Sequence, residues 1–343
     1  MKKIRVAING FGRIGRAFAK VARERDEIEL VAINDLGDIN NFAYLLKYDS
    51  VYGISSFDVE VNAKTKSLII DGHVVAYLSV KDPSKLPWKA MDIDVVVEST
   101  GLFTSADKAQ AHIDAGAKRV VVTAPIKDSP DSKVHGATVL MAMNEDKIKS
   151  SLISSNASCT TNAGSPLIAI LDETIGVEKA LLNTVHAYTA SQSLVDGPSK
   201  KDLREGRAAA ENMVPSSTGA AISVTQVMTH LKDKFDGISI RVPVVAGSIV
   251  DVTFISKRET TTEEVNSILK KAAQDPRWRG IFTVTEEDLV SRDILGNKHA
   301  SIADLAFTRV VGGNLVKVLA WYDNEVGYTY TLVEHVIKAG RLV

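Results

Sequence analysis

Residues 8–15 read INGFGRIG and set Gly10, Gly12 and Gly15 in a G-x-G-x-x-G spacing. Before them runs the β-branched apolar stretch IRVAIN, from Ile4 to Asn9, and after them Ile14, Phe18 and Val21 recur with helical spacing in GRIGRAFAKVARER. Strand, tight turn and helix therefore follow in order. In that setting the first glycine permits the turn, the second lets backbone approach a pyrophosphate, and the third lets the helix lie close to the strand. The N–H groups at the start of the helix face the anion. The next strand-like run, EIELVAIND, ends at Asp35, whose carboxylate suits both ribose hydroxyls and repels a 2′-phosphate, which favours NAD over NADP.

Further out, the runs DIDVVVEST and KRVVVTAP flank the helix-like SADKAQAHIDAGA. That alternation predicts an α/β fold, a parallel sheet covered by helices on both faces. After about residue 160 the rhythm changes to longer strand-like stretches, KALLNTVHAYTA and GISIRVPVVAGSIVDVTFISKR, which predict a mixed or antiparallel sheet. The polar stretch 187–212 is too long for a neutral connection and reads as a functional loop. TTEEVNSILKKAAQD offers a capping box, Thr261 to Glu264, ahead of an amphipathic helix, and TYTLVEHVIKAG is a final helix.

A chain of 343 residues exceeds what one core usually organises, so two domains are expected. With 45% apolar and 24% charged residues and a net charge of -1, the chain has no general attraction to polyanions, which argues against nucleic acid as the main partner. No apolar run approaches the roughly 18–20 residues that span a bilayer, and the opening MKKIRVAING lacks a secretory apolar region. The expected location is the cytoplasm, with no membrane partner. One cysteine forms no internal disulfide and no cysteine-based zinc cluster, and no metal site is assigned.

That cysteine, Cys159, stands in SNASCTTN, residues 155–162, between the strand-like SLISS and the helix-like TTNAGSPLIAILDE. At a helix start, N–H groups and the dipole stabilise a thiolate. A free cysteine is also a common small core residue. The polar neighbours Ser158, Thr160, Thr161 and Asn162 favour the nucleophile. His186, in LLNTVHAYT, reads alone as a structural histidine, and beside a nucleophile as its base. Thr218 and Gly219 in SSTGAA, and Arg241 in SIRVP, suit phosphate; simple N-capping and a solvated strand end are the alternatives.

INGFGRIGR, AINDL, ESTGLF, SNASCTTN, HAYTASQ, DGPS, SSTGAA, RVP and WYDNEVGY occur in this order over nearly the whole chain. The sequence thereby resembles the phosphorylating glyceraldehyde-3-phosphate dehydrogenase family. The resemblance implies a Rossmann NAD-binding domain over 1–158, an α+β catalytic domain over 159–322, and a C-terminal helix, 323–343, that packs back on the first. It also implies a homotetramer in which the loop after His186 reaches a neighbouring subunit's cofactor region. Gly10, Gly12, Arg13, Ile14, Asp35, Ser99, Thr100, Thr123 and Asn324 would contact NAD. Cys159 and His186 would be catalytic, Thr189 and Arg241 would hold the substrate phosphate, and Ser158, Thr160, Thr218 and Gly219 the attacking phosphate. The implied reaction converts glyceraldehyde 3-phosphate and inorganic phosphate to 1,3-bisphosphoglycerate through a hemithioacetal and a thioester on Cys159. Two rivals remain: a relative that hydrolyses the thioester, such as erythrose-4-phosphate dehydrogenase, and an NAD-binding redox sensor with Cys159 as an oxidisable thiol.

Overall fold

The first strand, β1 (Ile4–Asn9), is buried at five of its six positions, as expected of a strand covered on both faces. In the computed structural model, which describes residues 2–128, 131–199 and 202–343, β1 lies inside a nine-stranded sheet. Lys200 and Lys201 of the polar loop lie outside the described residues. The chain divides into two compact units, Met1–Ala157 with Thr329–Val343, and Ser158–Tyr328.

In the first unit α1 (Arg13–Ala22) follows the glycine turn, then β2 (Ile28–Asn34), α2 (Ile39–Lys47) and the short pair β3 (Tyr48–Asp49) and β4 (Gly53–Ile54). Next come β5 (Val59–Asn62), β6 (Ser67–Ile70), β7 (His73–Leu78), β8 (Val95–Glu98), α3 (Ala106–Asp114), β9 (Arg119–Val122), β10 (Ala137–Thr138) and β11 (Ile153–Ser155). The sheet order is β10-β11-β9-β8-β1-β2-β7-β6-β5. Pairing is parallel from β10 to β7 and antiparallel at β7-β6-β5. A parallel α/β sheet of this build opens its ligand crevice at the carboxyl ends of the strands. Asn9, Asn34, Glu98 and Val122 are those ends.

The second unit starts with α4 (Cys159–Asp172), β12 (Val177–Ala187), β13 (Val214–Ser217), α5 (Ala220–Val227), β14 (Phe235–Val242) and β15 (Ser248–Ser256). It goes on through α6 (Thr262–Gln274), β16 (Phe282–Thr285), β17 (Ser301–Val311) and β18 (Leu315–Tyr322). Its seven strands run β13-β14-β12-β15-β18-β17-β16, a mixed sheet with parallel pairs only at β12-β14 and β16-β17. α4 is buried at nearly every position after its first residue, the environment of a helix inside a core.

The last helix, α7 (Val326–Gly340), begins in the second unit, and the chain rejoins the first at Thr329 rather than at 323. The reason is local: Asp323 Oδ2 accepts from Gly296 N at 2.8 Å and Asn324 Oδ1 from Gly247 N at 3.0 Å, which ties both residues to the second unit. Ser158 also counts with the second unit, as the N-cap of α4. The expected capping box forms by half. Thr261 Oγ1 accepts from Glu264 N at 3.2 Å, but the Glu264 carboxylate goes to Arg258 and to Thr260 Oγ1 instead of back to the helix start. No helix among the described residues is long and apolar enough to cross a membrane.

Candidate active site

In the first unit, the three glycines do what their spacing requires. Gly10 has φ +94°, and a Cβ there would stand 2.6 Å from Thr100 N. At Gly15 a Cβ would lie 2.2 Å from the Gly10 carbonyl oxygen, so only glycine lets α1 approach the turn. Gly12 is the opposite case: as N-cap of α1 it has no side-chain cap, and a Cβ there would meet nothing within 4 Å. Uncapped N–H groups beside open space suit a pyrophosphate. Asp35 Oδ2 accepts from Phe11 N at 2.7 Å and Oδ1 from Gly37 N at 3.0 Å. Each oxygen keeps acceptor capacity for a ribose hydroxyl. These features fit NAD.

The remaining candidates of this unit are tied into the protein to different degrees. Arg13 pairs with Asp49 at 3.0 Å, while Ile14 and Thr123 are half-buried. The Ser99 hydroxyl donates to the Gly10 carbonyl at 2.6 Å, and Thr100 donates through N and Oγ1 to Glu98 Oε1 at 2.8 and 2.5 Å. Glu98 Oε2 takes Asn9 Nδ2 at 2.6 Å and lies 2.9 Å from His112 Nε2. The hydroxyl protons of Ser99 and Thr100 thus hold the glycine turn and the loop after β8.

In the second unit, Ser158 caps α4, its Oγ accepting from Thr161 N at 3.1 Å, which puts Cys159 at the first helical position. Strand register does the rest. β12 pairs with β14 so that His186 lies beside Arg241. Cys159 Sγ is 3.4 Å from His186 Nε2. His186 Nδ1 lies 2.6 Å from the Ala187 carbonyl oxygen, which can only accept, and against Arg241 Nη1, which can only donate; with the proton on Nδ1, Nε2 turns a lone pair to the sulfur. Arg241 Nη1 donates to the same carbonyl at 3.2 Å and lies against the imidazole, while its Nε is buried with no hydrogen-bond partner among the described residues.

Burial, aided by the Arg241 charge, pushes His186 down to about 3, so the imidazole is neutral at pH 7 and able to take a proton. Burial also pushes the Cys159 thiol up, against the Arg241 charge and the N–H groups of the helix start. The helix start and the Arg241 charge favour a thiolate, and desolvation opposes it.

The structure brings Cys159, His186, Arg241 and Thr160 together. Thr160 Oγ1 turns to Tyr322 Oη at 2.9 Å. Thr189 Oγ1 pairs with Ser191 Oγ at 3.0 Å, and Thr218 Oγ1 accepts from Ala220 N, the first N–H of α5, at 3.1 Å. Gly219, the N-cap of α5, is exposed, with nothing within 4 Å of an added Cβ. Asn324 Oδ1 accepts from Gly247 N at 3.0 Å and from Ser248 Oγ at 3.2 Å, which assigns Nδ2 as its donor end. Ser248 Oγ also accepts from Ala187 N at 3.1 Å, so it links Asn324 to the strand end that carries His186. Ser248 and Tyr322 were not singled out in the sequence. Only the inward alternation of β18 marks Tyr322, and nothing local marks Ser248.

Comparison with known proteins agrees with this geometry. Residues 4–106 match the model of the glyceraldehyde 3-phosphate dehydrogenase NAD-binding domain, and residues 158–324 that of its C-terminal domain. Glyceraldehyde-3-phosphate dehydrogenase 2 of Saccharomyces cerevisiae is 46% identical over 341 residues, 98% of this chain and 100% of the relative. Glyceraldehyde-3-phosphate dehydrogenase of Streptomyces coelicolor is 45% identical over 341 residues, 98% of this chain and 99% of the relative. That of Borreliella burgdorferi is 46% identical over 338 residues, 96% and 98%. A dinucleotide turn read by an acidic residue in one unit, and a thiol facing a neutral imidazole in the other, thus come with matches in both halves: the chain belongs to the glyceraldehyde-3-phosphate dehydrogenase family and is an NAD-dependent oxidoreductase of glycolysis.

Proposed function

We propose that the chain oxidises glyceraldehyde 3-phosphate and conserves the energy as an acyl phosphate, with Cys159 as nucleophile and His186 as base. The observation that carries this reading is the 3.4 Å approach of Cys159 Sγ to His186 Nε2 at the start of α4. His186 Nε2 takes the thiol proton as the sulfur adds to the aldehyde carbon, and returns it to the carbonyl oxygen, giving a hemithioacetal. Gly10, Gly12, Arg13, Ile14, Asp35, Thr123 and Asn324 would hold NAD, which would supply the hydride acceptor. His186 then accepts the hydroxyl proton, and the acyl group remains on Cys159 as a thioester. Inorganic phosphate attacks that carbonyl carbon, the carbon–sulfur bond breaks, and His186 returns the proton to sulfur.

The substrate phosphate goes to Arg241, whose buried Nε lacks a partner among the described residues, and to Thr189. Ser158, Thr160, Thr218 and Gly219 serve the attacking phosphate, and the open space at Gly219 supports that assignment. In the absence of phosphate, one equivalent of NADH per chain should form with the acyl group on the peptide that contains Cys159. NADH without a modified Cys159 overturns the reading.

A homotetramer is the assembly we propose. Leu181, Met213, Ile222 and Ile238 of the second unit, and Leu194, Val195 and Leu203 of the long loop, are large apolar side chains left exposed in the single chain. Light scattering should give four times the chain mass of 37.0 kDa. A thiol nucleophile also needs a reducing compartment, which supports the cytoplasm.

A further inference from the structure

The acid of the ESTGLF stretch has no part in the chemistry above, yet Glu98 lies 2% exposed at the carboxyl end of β8. Register explains its company: Glu98 pairs with Asn9 at the end of β1, and Asn9 with Asn34 at the end of β2. Those three ends form one buried polar row. In the sheet, β2 and β7 lie to one side of β1, and β8 and β9 to the other, so the strand order reverses between β1 and β8. At such a reversal a parallel α/β sheet opens its crevice for a dinucleotide.

The direction of each hydrogen bond in the row is fixed from its two ends. At one end, Asn34 Oδ1 accepts from Val80 N at 2.9 Å and Asn34 Nδ2 donates to the Val80 carbonyl at 2.9 Å. Asn34 Nδ2 also donates to Asn9 Oδ1 at 2.7 Å, which leaves Asn9 Nδ2 to donate to Glu98 Oε2 at 2.6 Å. At the other end the Trp88 indole, which can only donate, gives to His112 Nδ1 at 3.0 Å. His112 Nε2 therefore carries the ring proton and donates to Glu98 Oε2 at 2.9 Å. Thr100 fills the other oxygen, Oε1, through N at 2.8 Å and Oγ1 at 2.5 Å. Four donors thus meet one carboxylate, and the short hydroxyl contact has the length of a bond to a charged oxygen.

The consequence lies at the glycine turn. Thr100 N is the atom nearest to an added Cβ at Gly10, 2.6 Å away, so the loop that Glu98 holds is the wall against which that turn is built. We infer that Glu98 is a positioning residue for the dinucleotide, whose carboxylate holds Thr100 and Asn9 together and so fixes the turn. An amide does not replace it. Whichever way the side chain of Glu98→Gln turned, its NH2 group would face the Thr100 N–H or the His112 and Asn9 donors, and Trp88 bars the other His112 tautomer. The inference rests on the turn as the NAD site and not on Cys159.

The test is equilibrium binding of NAD, and of ADP-ribose, which lacks the nicotinamide, measured by calorimetry on the full chain without aldehyde. Glu98→Gln should weaken both by the same factor, about tenfold, the cost of a buried donor left unpaired. In turnover the KM for NAD should rise in step while kcat at saturating NAD holds. Val95→Ala, a cavity at the far end of β8, should lower Tm and leave both affinities unchanged. Affinities that hold in Glu98→Gln, or that fall equally in Val95→Ala, overturn the inference. Should Glu98→Gln fail to fold, His112→Phe removes one donor from the same oxygen, and His112→Gln, which can donate to Glu98 and accept from Trp88, supplies it again. Affinity must then fall in the first and return in the second. Wild-type protein that binds neither ligand would overturn the reading of the turn itself, and the inference with it.

Discussion

The His186 imidazole is useful because it is neutral: burial and the Arg241 charge keep its proton affinity low until a developing charge on substrate raises it. His186→Asn should lower kcat by about 10²–10⁴, the range of general-base catalysis, with Cys159 still alkylated by iodoacetamide. A kcat within a few-fold of wild type would remove His186 from the mechanism. Asp35 makes a second claim at this scale. Asp35→Gly removes the carboxylate that repels a 2′-phosphate, so the ratio of kcat/KM for NADP to that for NAD should rise, and an unchanged ratio contradicts the account of that residue. Cys159 and Asp35 stand out in the sequence by residue type and local company, whereas His186 reads alone as structural and gains its role only beside Cys159, 27 positions away. Tyr322 does not stand out. It stands inside the quoted WYDNEVGY, but its partners Thr160 and Thr184 lie 162 and 138 positions away, and only strand register brings them together.

Secondary elements were legible where their signals were local and strong. The strand, glycine turn and helix at the amino terminus, the helix that starts at Cys159 and the amphipathic α6 all stand where pattern puts them. The edge strand β5 and its neighbour β6 escaped, because four-residue runs such as VEVN carry little alternation and their pairing partners decide them. At α6 the N-cap is separable from the chemistry. Thr261→Ala leaves Glu264 N without its side-chain acceptor and should cost about 1 kcal/mol. That lowers Tm by about 2–4 °C with kcat unchanged, as a thermal scan and a turnover assay would show. An unchanged Tm would mean that the helix start is held by something other than its cap.

Two histidines couple the stability of the whole molecule to pH. His335 lies in α7 with Nε2 2.8 Å from Ser154 Oγ and Nδ1 3.2 Å from Asn156 Oδ1, and burial pushes it down to about 3, as it does His186. Both folded values lie below the unfolded value near 6.5, so between the two the unfolded chain binds more protons. The stabilisation is therefore complete above pH 6.5 and is lost as pH falls from there towards 3, by about 2 kcal/mol per histidine at pH 5. Denaturant titrations at pH 7.5 and pH 5 should show the loss, with His335→Gln retaining roughly half of it; equal stability at the two pH values contradicts buried neutral imidazoles.

The claim that joins both units is that NAD reduction depends on the sulfur of Cys159 and on phosphate together. The measurement is NADH formation from glyceraldehyde 3-phosphate and NAD, with and without inorganic phosphate or arsenate, for wild type and Cys159→Ser. The account predicts sustained turnover only in wild type with one of the two anions. Sustained turnover without either anion, or turnover in Cys159→Ser, would contradict it.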